Sequence, residues 1–253
     1  MILRRLLLVL AFAGVFFIGL CAFAPASLMG YVLERASGGA LSMVQTRGSL
    51  WHGSGVALLR QDSRFQTLGS YRWQVQILGT SLQVQSGDSA PATVRYVPFA
   101  GRITVDNLHM SLPVSAVDLA APQLGPYQLQ GSLEAGSDHL TLDAAGMHGQ
   151  ITVDWLHAAS ALTEIRPLGD YRIVLKSNGS ALDAQLSTLS GKLQLSGTGS
   201  FDNVSGMRFN GTAQAAPGIA AMELNELLHH IGPEISPGVF ALSLMPQSSA
   251  ARQ

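Results

Sequence analysis

The spacing of apolar and polar residues changes twice along the chain. Leu6 to Ala24, "LLLVLAFAGVFFIGLCAFA", is a run of 19 residues without a charge, and Arg4-Arg5 stand just before it. At 1.5 Å per residue a helix of this length reaches roughly the 30 Å of a bilayer core. Next, "ASLMGYVLERA" (Ala26 to Ala36) places Leu28, Tyr31, Val32 and Arg35 at i, i+3, i+4 and i+7. That spacing predicts a short helix, ended by Gly38-Gly39. From Leu41 to Ala216 the period drops to two. Short alternating runs such as "RITVDNL", "LTLDA" and "KLQLSG" are separated by Gly, Asn-Gly and Pro, which predicts half-buried strands. A helical period returns once, in "IAAMELNELLHHI" (Ile219 to Ile231). Leu224, Leu227, Leu228 and Ile231 form its stripe, and Gly232-Pro233 close it.

The N-terminal run has two readings. A cleaved signal peptide would share the basic start, and Ala22-Phe23-Ala24 imitates its cleavage site. The run is longer than a typical signal core, however, and Pro25 would follow the scissile bond. An uncleaved anchor is the expectation, with the arginines on the cytoplasmic side. The expected divisions are 1–5 cytoplasmic, 6–24 transmembrane, 25–40 a helical linker, 41–246 a β-rich domain beyond the membrane, and 247–253 a polar tail.

Within the body, "GSLWHGSGVALL" (Gly48 to Leu59) reads as a hairpin turning at Arg47-Gly48-Ser49. Trp51, Gly53, Gly55, Ala57 and Leu59 would share one face, with the indole beside strand glycines whose surface it can cover. His52 would lie opposite.

Two landmarks recur. "GRITVDNLH" (Gly101 to His109) nearly repeats as "GQITVDWLH" (Gly149 to His157), and Leu-Gly-x-Tyr ends at Tyr71, Tyr127 and Tyr171. Ordered copies at such spacing predict a repeat, each unit a three-stranded meander opened by its Tyr. Joined end to end, the units form one long antiparallel sheet that must hide one face. One helix cannot cover so many strands. The expected fold is therefore mainly β: an N-terminal transmembrane helix, then a curved, repeat-built antiparallel sheet, a half-barrel or trough, with a short covering helix near the C-terminus. A closed barrel is the alternative.

Composition narrows the function classes. The chain of 253 residues is 12% charged, with 15 Lys+Arg and 16 Asp+Glu. Two of those basic residues precede the anchor, so the remainder is mildly acidic and offers no basic face for nucleic acid. The single cysteine, Cys21, allows no intrachain disulfide. Seven histidines stand at 52, 109, 139, 148, 157, 229 and 230 without the spacing of a metal site. His109 and His157 match each other across the repeat, which favours a shared strand-end role over ligation, and Asp106 and Asp154 also match, which favours solvent-facing strand residues over a paired-carboxylate site. His229 and His230 are adjacent on a helix and cannot comfortably share one ion. No nucleophile elbow, phosphate loop or dinucleotide fingerprint occurs. The sequons at Asn178, Asn203 and Asn210 predict surface loops. No catalytic, cofactor-binding or metal-binding residue is assigned, no cofactor is expected, and the chain is expected not to be an enzyme.

Several stretches together carry a resemblance. The N-terminal anchor, "GSLWHGSGVAL", "RPLGDYRIVL" (Arg166 to Leu175), "GKLQLSGTG" (Gly191 to Gly199) and "RFNGTAQA" (Arg208 to Ala215) follow one order that resembles protein N of the bacterial type II secretion system. That resemblance implies a single-pass inner-membrane protein of a Gram-negative cell, with a cytoplasmic N-terminus and a periplasmic β domain. It implies an accessory role in exporting folded proteins, in contact with other secretion components. The β-rich body is also similar to the AsmA-like group, which implies an apolar groove and makes lipid the alternative partner. Two function classes follow. One is an interaction component using sheet edges for β-augmentation. The other is a hydrophobe-binding module that shields acyl chains at about 0.8 kcal/mol per buried CH₂.

Overall fold

The computed structural model describes residues 19, 23–61, 64–76, 80–87, 89–97, 100–114, 122–202, 206–218 and 224–244. The expected anchor, Cys21 and the polar tail fall outside them, save for Gly19, Phe23 and Ala24. Among the described residues no helix is long and apolar enough to cross a membrane.

Helix α1 (Ser27–Ala36) leads into β1 (Leu41–Gly48), β2 (His52–Gln61), β3 (Arg64–Gln76), β4 (Ser81–Ser86) and β5 (Ala92–Val97). Then come β6 (Arg102–Pro113), a 3-10 turn (Pro122–Tyr127), β7 (Leu129–Asp143), β8 (Gly146–Ser160), β9 (Gly169–Gly179), β10 (Ala181–Gly191), β11 (Leu193–Asp202) and β12 (Gly206–Ala215). Helix α2 (Asn225–Ile231), β13 (Glu234–Ser236) and β14 (Val239–Leu244) finish the chain. The strands form one open antiparallel sheet in chain order through β12, followed by β14 and β13. The closed barrel is thereby excluded. Two compact units divide at Arg95/Tyr96.

In the first unit α1 forms where its periodicity predicts, and it packs through its small residues. Ala26 is buried and donates its N–H to Gly48 O at 3.3 Å. At Gly30 an added Cβ would come within 3.2 Å of Met43 O, so the missing side chain lets the helix approach β1 closely. Leu28, Tyr31 and Val32, the residues whose spacing predicts the helix, are 42%, 60% and 55% exposed. The small residues, not the large ones, set the packing. Ser37 caps the C-terminus, followed by Gly38 and Gly39 at φ 63° and 88°.

The hairpin of β1 and β2 exists, with its turn later than expected, at Ser49-Leu50-Trp51. Ser49 N–H closes it on His52 O at 2.8 Å. Gly53, Gly55, Ala57 and Leu59 share the buried face as expected. The indole over the glycines belongs to Trp73 instead of Trp51. Trp73 pairs with Gly53 across β3, where a Cβ would meet its ring at 2.6 Å, and its Nε1 donates to Leu50 O at 3.2 Å. Trp51, in the turn, is only half-buried.

The three-stranded repeat does not hold in either unit. Tyr171 lies near the start of β9, but Tyr71 sits in the middle of β3 and Tyr127 ends the 3-10 turn. The last two residues of "YQLQ", Leu129 and Gln130, and all of "HLTLD" lie at the two ends of one continuous strand, β7. The fifth strand, β5, intervenes between "SLQVQ" and "GRITV". Even the matched stretches diverge past their shared Asp. Asn107 adopts φ 53° in β6, whereas the comparable left-handed residue of β8 is His157, φ 52°. The β6–β7 register continues unchanged past Asn107, whereas the β8–β9 register shifts between Trp155 and Ala158, so similar residues end in different environments.

Trp73 is 5% exposed. Trp73→Ala therefore lowers the stability of the folded chain by about 3–5 kcal/mol in urea denaturation. Trp51→Ala loses less, and His52→Ala stays within about ±0.5 kcal/mol.

Candidate functional site on the apolar sheet face

Cross-strand registers in the second unit sort its side chains cleanly. One row runs Met110, Ala135, Val153, Ile173, Leu186, Gly197, Gly211 and Leu242 across β6 to β12 and β14, without a polar side chain. The opposite face carries Ser111, Glu134, Asp154, Arg172 and Ser187 in its matching row. Alternation of period two becomes a sheet with one oily and one wet side.

Among the described residues, cover on the oily side is concentrated at one end. Leu224 at the N-cap of α2 and Leu227 and Leu228 within it, with Ile165 and Leu168 of the loop before β9, pack on Leu193, Ala213 and Phe240. Nearby, Tyr171 is 1% exposed and its hydroxyl donates to Leu193 O at 2.9 Å. Burial pushes that hydroxyl pKa well above its ordinary value, so it remains a neutral donor. Phe209 lays its ring into the hollow left by Gly197, Gly199 and Gly211, where added Cβ atoms would meet it at 2.6, 2.8 and 3.1 Å. Toward the other strand ends the cover thins. Ile103, Leu142 and Phe201 are 38%, 41% and 43% exposed. Dimensions explain the gradient. β7 and β8 have 15 residues each and extend roughly 50 Å, whereas α2 has seven residues and spans about 10 Å. Beside α2 an open depression of about 900 Å³ is lined by residues 161–166, Lys192, Glu226 and Leu227.

The wet face holds the groups with chemical potential. Asp106 Oδ1 lies 2.6 Å from His139 Nδ1, and His139 Nε2 lies 3.2 Å from Thr141 Oγ1. The spacing imitates an acid–base–hydroxyl relay. Its setting does not: the His139 side chain is 60% exposed on a strand, and His139 is paired with Asp106 in the ladder between β7 and β6. Nothing there excludes water or gathers donors for an oxyanion. The three residues are cross-strand and i, i+2 neighbours on one polar face.

Asp106 and Asp154, matched in the sequence, do not converge. They lie opposite His139 and Glu134 of β7. Asp154 accepts two bonds of 2.7 Å from Arg172 Nε and Nη2. The guanidinium holds this carboxyl below its ordinary range and raises that of Arg172. Asp170 is lowered by the His157 N–H and Ser190, and Asp143 by the Ala145 N–H, with His148 at 3.4 Å. His109 and His157 part company too: His109 Nδ1 lies 3.3 Å from Asn107 O, whereas His157 uses its backbone N–H. His229 packs edge-on against Phe240 at 4.9 Å, and His230 Nδ1 lies 2.9 Å from Glu226 O. Among the described residues no group of three His, Cys, Asp or Glu side chains could hold a metal. Asn178 and Asn210 lie on β9 and β12, not in loops; Asn203 is outside the described residues.

Sequence reasoning found the α2 stripe and the alternation but missed Trp73 and the Asp154–Arg172 pair. Their partners lie on neighbouring strands, and only register reveals them.

These features define an antiparallel β-sheet protein with segregated apolar and polar faces. Residues 39–243 match the model of the type II secretion system (T2SS) protein N family. The chain belongs to that family. No curated protein and no solved structure matches it.

Asp154→Asn produces a small loss of stability at pH 7, as expected of an exposed ion pair. Because the folded-state pKa is lowered, the contribution is present above the unfolded carboxylate value and lost as pH falls through the folded one. The difference from the parent chain should vanish in strong acid, checked by urea denaturation at neutral and acid pH.

Proposed function

We propose that the protein is a non-enzymatic accessory component of the type II secretion machinery, held in the inner membrane by residues 6–24, with its β domain in the periplasm. The family match over residues 39–243 carries this reading. Membership alone suggests a role in secretion within the cell envelope. The anchor adds the membrane side, since the 19 uncharged residues and the preceding Arg4-Arg5 suit one pass with the N-terminus inside. In this reading the domain meets other secretion components at the thinly covered end of its apolar face, near Ile103, Leu142 and Phe201. Apolar groups left in water at that end are released when a partner covers them.

A second reading has one observation in its favour. The eight-position row without a polar side chain could shelter an acyl chain, at about 0.8 kcal/mol per CH₂. Native mass spectrometry of the detergent-extracted protein separates the two. Co-purifying lipid supports the module that binds hydrophobes. Its absence, together with a complex containing secretion proteins, supports the accessory component.

Deleting the chain from its host should reduce export of a folded substrate, and restoring it should recover export. Leu142→Gln with Phe201→Gln should leave stability within about 1 kcal/mol, as these side chains are already exposed, while export falls severalfold. Normal export by this stably folded variant would remove the apolar end from the proposal.

A further inference from the structure

The exposed face of α1 is the feature that the secretion role does not absorb. Its inner side is fixed: Ala26 and Gly30 are buried against β1, and Leu33 is half-buried on the same side. The outer side presents Leu28, Tyr31 and Val32 at 42%, 60% and 55% exposure, preceded by Phe23 at 87%. Arg35 continues this stripe in the last turn. The helix cannot roll the stripe inward, because Gly30 is the position that admits close contact with Met43. Three large apolar side chains on ten residues are thus held outward by packing on the other side.

What covers them is indicated by where they lie in the chain. The 19-residue uncharged run ends at Ala24, three residues before α1 begins. A helix starting there stands at the membrane surface if that run spans the bilayer. Its chemistry suits that depth: Phe and Tyr rings favour the interface, and a long Arg side chain can direct its charge toward the headgroups. We propose that α1 lies in the membrane interface, with Leu28, Tyr31 and Val32 turned into the lipid, and so sets β1 and its hairpin against the membrane plane. An amphipathic helix of this kind buries its apolar face about 5–10 Å into the headgroup and acyl boundary. The inference rests on the membrane anchor proposed above.

The test uses the full-length chain with Cys21→Ser and single cysteines introduced as Tyr31→Cys, Val32→Cys or Glu34→Cys. Each is labelled with a bimane fluorophore and reconstituted in phosphatidylethanolamine–phosphatidylglycerol vesicles. Labels at 31 and 32 should lose emission to lipid brominated in the upper acyl chain and resist quenching by aqueous iodide. The label at 34, off the stripe, should show the reverse. Positions 31 and 32 should tolerate the label without a change in thermal unfolding, since neither packs into the domain. Iodide quenching at 31 and 32 equal to that at 34 would overturn the proposal. So would protection from both quenchers, which would mean that protein and not lipid covers the stripe. Flotation of the same vesicles separates the two levels. A chain that floats but fails the quenching pattern removes only the interfacial helix, whereas one that does not float removes the anchor as well.

Discussion

A long antiparallel sheet satisfies its backbone through its ladders, but each ladder also lines up apolar side chains on one face. Removing that face from water is the constraint on which the second unit depends. α2 and the loop before β9 meet it at one end, where Leu193, Ala213, Leu224 and Phe240 are nearly inaccessible. They are too short to meet it along the strands. Burial consequently grades from the packed end toward Ile103, Leu142 and Phe201. A protein built this way has an oily surface whose extent is set by helix length against strand length.

The same ladders limit the chemistry of the wet face. The Asp106–His139–Thr141 cluster has suitable spacing for proton transfer, yet these residues are cross-strand neighbours in the β6–β7 ladder and the His139 side chain stands in solvent. Catalysis of acyl transfer needs donors aimed at developing charge in a dry setting. Exposed strand positions such as His139 supply neither.

Edges pose the remaining problem, because an unpaired strand invites further pairing. β1 is guarded on one side by α1 and by the bulge that puts Gln45 at φ 53°. The glycine that allows this close cover also determines which side of α1 faces outward. One packing choice at Gly30 therefore links the protection of an edge to the exposure of Leu28, Tyr31 and Val32.

Period-two alternation was enough to read the strands from Leu41 to Ala216, and 3.6-residue periodicity was enough to read both helices, because each reports a local geometry. The α2 stripe of Leu224, Leu227, Leu228 and Ile231 was legible for that reason. The repeat was not reliable: Tyr71, Tyr127 and Tyr171 share a motif but occupy a mid-strand site, a 3-10 turn and a strand start. Strand length and bulge position depend on neighbouring strands, which local similarity does not record. The sequence by itself determined the amphipathic pattern, the elements and the absence of familiar catalytic motifs. Only the tertiary structure decided that Trp73 covers Gly53, that Asp154 meets Arg172, and that α1 turns its large side chains outward. Each of those outcomes depends on register or close approach between segments, which no single stretch of chain encodes.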